Sequence, residues 1–161
     1  MTNRAGAKTA RGRLPAFKNK NKELSGLYLA DETAWLERMS ELIGKQRYGD
    51  LDYMNLQEYL LDMAKRDRRE VLSRLRILLA HLLKWDHQPR RRSGSWERTI
   101  REQRYELQSL LESQTLMNHA SAVLSKAYEQ AVKLAASETG LSVDSFPTNC
   151  PYSLQEVLTD Q

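Results

Sequence analysis

Arginine residues interleaved with aromatic side chains form the segment of this 161-residue sequence with the clearest potential for chemistry. Guanidinium groups hydrogen-bond and neutralise phosphates, and planar rings can stack on bases. The rings in this segment, Trp85 and Trp96, lie on the apolar stripes of predicted helices, where we expect them to pack against each other. Pro89 and Gly94 place three consecutive arginines in a loop, where we expect their side chains to be exposed. The pattern predicts contacts with a nucleic acid or another polyanion, made by Lys84, Arg90, Arg91, Arg92 and Arg98.

A second group of polar residues falls on the apolar faces of predicted helices. Asp67 lies at the centre of the apolar stripe of one helix, and Gln103 has a similar position in the next. An unpaired buried carboxylate is costly, so these groups are expected to hydrogen-bond one another. We therefore predict a buried polar network, of a kind more often structural than catalytic. Its members are Asp67, Arg74, His81, Gln103 and Arg104.

The spacing of arginine and histidine along the same helix also suggests a catalytic alternative. Arg74 and Arg76 precede His81 in a pattern that resembles the motif of metal-independent HEPN ribonucleases. There the histidine would transfer a proton and the arginine would stabilise a phosphorane-like transition state. However, Arg76 points about 140° away from His81 on a helix, and an apolar Ile77 follows it. We therefore favour a non-catalytic protein and assign no catalytic residue.

Other chemistries lack their sequence patterns. The three histidines do not show the spacing with a carboxylate that helical metal sites favour, and neither a P-loop nor a GxGxxG pattern is present. We thus predict no metal and no cofactor. The single cysteine, Cys150, favours a reducing, cytoplasmic environment. The longest apolar run, Ile77–Ala80, is far below the roughly 20 residues of a membrane span, so we predict no membrane partner.

Positive charge is concentrated in the middle of the chain. The formal net charge is +4, but residues 65–104 carry thirteen basic and five acidic side chains. The flanking segments 25–64 and 105–161 are both acidic. Such a distribution attracts phosphates, or lets the basic stretch pair with acidic helices of its own fold or of a second subunit. The sequence is therefore consistent with two kinds of partner, a nucleic acid and a protein, the latter including a second copy in a homodimer.

Apolar residues recur at helical spacing along most of the chain and do not alternate with period two over any useful length. Asp31, Ser95 and the pair Ser153/Glu156 are predicted N-terminal caps, and Gly140 a C-terminal cap. These signals predict an all-α fold, a four-helix bundle with one long second helix and a short C-terminal helix. The predicted helices are Asp31–Gln46, 53–86, 95–112, Asn118–Glu138 and Leu154–Thr159. Residues 1–24 are predicted to be a disordered basic tail, and residues 25–161 a single helical-bundle domain.

Five sequence blocks, in order, resemble a largely cyanobacterial family, domain-of-unknown-function family number twenty-nine. They are LYLADETAWLE at Leu27–Glu37, HLLKWDHQPRRRSGSW at His81–Trp96, TIREQR at Thr99–Arg104, ETGL at Glu138–Leu141 and FPTNCPYSLQEVL at Phe146–Leu158. The resemblance covers residues 27–158 and implies a bacterial, almost wholly helical bundle without an established activity. The chain departs from the family pattern in its basic N-terminal tail and at Asn55–Lys65, where the family is more acidic.

Overall fold

The computed structural model describes residues 22–159, and within that range it contains helices and no β-strand. The predicted all-α class is therefore confirmed. The six α-helices are α1 (Lys22–Ala30), α2 (Glu32–Gly44), α3 (Tyr53–His87), α4 (Gly94–Leu110), α5 (Gln114–Thr139) and α6 (Leu154–Leu158). None of these helices combines the length and the apolar composition needed to cross a bilayer.

The chain divides into two compact units, although a single domain is predicted from the sequence. One unit ends at Leu61 and the other begins at Asp62, within α3. The predicted tail lies outside the described residues as far as residue 21, whereas Lys22–Leu24 already belong to α1. Helical structure therefore begins before the predicted domain boundary at residue 25.

The first unit has its own hydrophobic core. Leu24 of α1 packs with the buried face of α2, and Leu56 and Tyr59 of α3 pack against the same cluster. Trp35 is fully buried, with its ring 4.8 Å from that of Tyr28 and 5.8 Å from that of Tyr59. Since α1 is short and contains a glycine, its sequence alone favours a helix only weakly. Burial of its apolar side chains against α2 supplies the missing stability.

The second unit is built from the rest of α3 together with α4, α5 and α6. Leucines of α3, Ile100 and Leu107 of α4, and Val157 of α6 share one core. The buried residues of α5 include four alanines without exposed surface, which allow neighbouring helices to approach closely. The apolar side chains of the predicted bundle thus form two separate clusters. The apolar faces of α2 and of the first turns of α3 belong to the cluster of the first unit, and the other faces belong to the second.

Helix ends follow local hydrogen bonds. Asp31 caps α2 as predicted, accepting a hydrogen bond from the Ala34 amide at 3.0 Å. The capping box of Ser153 and Glu156 and the left-handed Gly140 after α5 are also confirmed. The predicted cap at Ser95 is wrong: Ser93 caps α4, accepting from the amide of Trp96, so the cap lies two residues earlier than predicted.

Candidate functional site

The connection between α3 and α4, together with the start of α4, presents four arginine side chains to solvent. A 3-10 turn at Pro89–Arg91 follows α3, and Ser93 then caps α4. Pro89 cannot donate a backbone hydrogen bond to extend α3, so the chain turns here. Three of the arginines belong to this connection, and the fourth lies in α4. We call these exposed residues the arginine group: Arg90, Arg91, Arg92 and Arg98.

Arg92 is held in place by Trp85, near the end of α3. Its guanidinium carbon lies 4.8 Å from the centre of the indole ring, and its Nε donates to the Trp85 carbonyl at 2.9 Å. An exposed cation–π contact of this kind contributes about 0.5–1 kcal/mol. The two contacts orient the Arg92 guanidinium while its side chain stays exposed.

The nearest carboxylates along the chain have other partners. Asp86 accepts a hydrogen bond from the Tyr152 hydroxyl at 2.6 Å, and Glu97 lies 3.7 Å from Arg101. Within residues 22–159, no ion pair to a carboxylate involves any member of the arginine group. The acidic side chains of residues 22–159 therefore leave these guanidinium groups open to an external anion.

Lys84 does not belong with these arginines, contrary to the sequence prediction. Only 4% of its surface is exposed, and its ammonium forms an ion pair with Glu138 of α5. The Lys84 Nζ also lies 3.3 Å from Nε2 of His81 and 5.1 Å from the ring centre of Trp96. Because α4 and α5 supply these partners, the side chain is enclosed by the fold. It cannot reach a phosphate in solvent.

His81 has both ring nitrogens in contact with the protein. Nδ1 donates to the Ile77 carbonyl at 2.9 Å, which leaves Nε2 to accept from the Lys84 ammonium. Burial lowers the pKa of the imidazole, and the charge of Lys84 acts in the same direction, against the hydrogen bond to Ile77. A neutral, fully engaged imidazole is poorly placed for proton transfer, so this geometry lends no support to a ribonuclease-like site.

Part of the predicted polar network is present around Arg74. Its Nη1 lies 3.4 Å from the side-chain oxygen of the buried Gln103. Its other contacts are with Glu70, to which Nε donates at 2.9 Å, and with Glu106 at 3.3 Å. Neither glutamate is among the residues predicted from the sequence. The i, i+4 spacing of Glu70 and Arg74 is a sequence signal from which the contact with Glu70 could have been predicted.

Three other predicted members lie apart from this pair. Arg104 donates through Nε to the Val157 carbonyl at 3.0 Å, and His81 contacts Lys84 as described above. Asp67 is exposed, which corrects its predicted position in the core. The apolar stripe of α3 is uncovered at this level, since Leu60, Leu61 and Met63 are exposed as well. A carboxylate here is solvated and needs no buried partner.

A cavity of about 470 Å³ lies beside the end of α3. Its walls include Leu82, Trp85 and Ile100, with the charged side chains of Asp86 and Arg101 among them. Tyr152 closes part of it, and burial together with the hydrogen bond to Asp86 raises the pKa of its hydroxyl far above the ordinary range. The phenol therefore remains a hydrogen-bond donor to the Asp86 carboxylate. No group of three or more potential metal ligands is assembled within residues 22–159.

Comparison with known proteins identifies a family but no characterised relative. The family described as "Domain of unknown function DUF29" matches residues 27–161, which includes the whole range 27–158 of the resemblance noted in the sequence. The chain therefore belongs to this family. No curated protein and no solved structure matches the chain.

Proposed function

We propose that this member of the DUF29 family is a non-catalytic helical module that binds a nucleic acid or another polyanion through its arginine group. The observation that carries the proposal is the exposure of four guanidinium groups without a carboxylate partner among the described residues. Arginine suits this role because its planar guanidinium can donate two parallel hydrogen bonds to one phosphate.

Internal pairing accounts for a different part of the basic stretch. Ion pairs to the protein's own carboxylates engage Lys65, Arg74, Lys84 and Arg101. The arginine group is outside this set, so its positive potential is available to attract a polyanion. Binding by phosphate contacts would release condensed counterions and would be strongly salt-dependent. A bacterial origin and a cytoplasmic location fit this proposal and stay predictions.

The proposal is tested by titrating fluorescently labelled single- and double-stranded oligonucleotides with the protein at several salt concentrations. The triple variant R90A/R91A/R92A should weaken binding across sequences, and the slope of log K against log salt should fall by roughly 2–3. The melting temperature should stay nearly unchanged. The variant R90K/R91K/R92K keeps the charge and should retain most of the binding.

A charge-matched control distinguishes a localised site from net charge. The variant R66A/R68A/R69A removes three exposed arginines of α3 that lie outside the arginine group. It should weaken binding much less than R90A/R91A/R92A. Equal losses in the two variants, or no binding by the wild-type protein at low salt, would refute the proposal.

A second candidate function is self-association, and the surface of α3 favours it. Leu60 is 57% exposed and Leu61 is 54% exposed, although both are large apolar residues within the helix. Large contiguous patches of exposed apolar surface mark protein–protein interaction sites, and Met63 adds exposed apolar surface close to these two leucines. Measurement of the mass in solution by sedimentation equilibrium tests this candidate independently of nucleic-acid binding.

A further inference from the structure

The cavity at the end of α3 differs in charge from the arginine group beside it. Its acidic lining residues are Asp86, Glu97 and Glu156, and its basic ones are Arg101 and Arg104. An excess of carboxylates does not favour a phosphate inside the cavity. It favours a cation or a neutral group that donates hydrogen bonds. The volume of about 470 Å³ lies in the range of sites for small ligands.

The Asp86 carboxylate supplies hydrogen-bond acceptors to this cavity. Its Oδ2 accepts from the Tyr152 hydroxyl at 2.6 Å, which orients the group. A carboxylate has further acceptor positions, and its two oxygens can receive two parallel N–H groups. Among the common bases, guanine alone carries adjacent N1–H and N2–H donors on its Watson–Crick edge. Adenine, cytosine and uracil each place an acceptor beside their donor.

The rest of the cavity suits a flat aromatic group. Leu82, Trp85 and Ile100 provide apolar surface, and the guanidinium of Arg101 offers a planar cation. Unstacked bases are commonly bound by such aromatic and guanidinium surfaces while their Watson–Crick edges are read by hydrogen bonds. The cavity therefore combines a surface for the base plane with an acceptor for the base edge.

Trp85 connects this cavity with the arginine group. It lines the cavity, and the guanidinium of Arg92 lies 4.8 Å from its ring centre. We propose that the cavity binds an unstacked guanine base of a single-stranded nucleic acid, with Asp86 accepting from N1–H and N2–H and Arg92 contacting the adjacent phosphate. This inference rests on the proposed function, since it assigns the base to the same nucleic acid whose phosphates the arginines bind.

The experiment compares two labelled ten-nucleotide single strands, one of thymidine only and one with a single central guanosine. We expect the wild-type protein to bind the second about ten-fold more tightly, within the range that one bidentate base contact provides. In D86N the acceptor pair is lost, so the ratio of the two affinities should fall to about one. The variant E97Q removes an equal charge from the same cavity and should preserve the ratio. Melting temperatures of both variants verify that they fold.

The outcomes separate the two proposals. Salt-dependent binding of both strands with equal affinity would overturn the guanine site and leave the arginine proposal standing. A guanosine preference that survives in D86N would also overturn the site, because the preference would then arise elsewhere. If neither strand binds at low salt, the arginine proposal fails and the guanine site fails with it.

Discussion

The Lys84 ammonium of α3 forms an ion pair with the Glu138 carboxylate of α5, and the two ends of this pair differ in exposure. The Lys84 side chain is 5% exposed and that of Glu138 is 43% exposed. The Lys84 ammonium is buried inside the fold, whereas the Glu138 carboxylate is partly exposed at its surface. The Lys84 charge is therefore neutralised inside the protein, whereas the side chains of Arg90–Arg92, close in sequence, are exposed.

Replacing Lys84 should affect stability and leave polyanion binding intact. K84M keeps most of the aliphatic volume, and we expect it to change the free energy of unfolding by less than about 1.5 kcal/mol. E138A leaves the buried ammonium without its carboxylate and should cost about 1–3 kcal/mol. Urea unfolding measures both values.

R98M is the matched control for K84M, because Arg98 is exposed and belongs to the arginine group. It should weaken oligonucleotide binding without a loss of stability. A loss of binding in K84M as large as that in R98M would contradict the buried role of Lys84.

Stability should fall below neutral pH through His81. Its pKa is depressed by burial, so the unfolded imidazole takes up a proton at a higher pH than the folded one. The stabilising contribution of the neutral ring is complete above the unfolded pKa of about 6.5 and is lost as the pH falls below it. Urea titrations between pH 8 and 5 should show a smaller loss of stability in H81Q than in the wild-type protein. Identical pH profiles would exclude His81 as a cause.

Asp52 should be the more important of two helix caps in the first unit. It directly precedes α3, is 1% exposed, and accepts a hydrogen bond from the Asn55 backbone amide at 3.4 Å. It also accepts hydrogen bonds from Asn55 Nδ2 at 2.6 Å and from the Ser25 hydroxyl at 3.2 Å. D52A removes the acceptor for these groups, and we expect a loss of about 1–3 kcal/mol. D31A removes the exposed cap of α2 and should cost about 0.5–1 kcal/mol. Equal losses in thermal or urea unfolding would show that burial of Asp52 adds nothing.

The exposed leucines of α3 provide a test of self-association. L60S/L61S should change the free energy of unfolding by less than about 0.5 kcal/mol, because both side chains are already in contact with solvent. If the wild-type protein is a dimer through this surface, sedimentation equilibrium should show a weaker dimer for the variant. A monomeric wild-type protein, or a dimer unaffected by the change, would argue against this surface as the interface.

Sequence patterns alone predicted the long helices and several of their ends, but they did not predict α1 or the cap of α4. Thirty-five residues of α3 form one helix because glycine and proline are absent from its length, and Gly140 ends α5 because it adopts a left-handed conformation with φ of 74°. The exposed turn at Pro89 follows from local chemistry in the same way. Such features depend on residues within one or two turns, so spacing alone can reveal them.

The burial and the partners of the polar side chains depend on how helices distant in sequence pack together. Lys84 forms an ion pair with Glu138, which is 54 residues away in the sequence. The Tyr152 hydroxyl donates a hydrogen bond to Asp86, which is 66 residues away. Asp67 is exposed, although a helical wheel places it on the apolar stripe of α3. Helical periodicity shows which residues share a face of a helix. How much of that face is buried depends on how other helices pack against it.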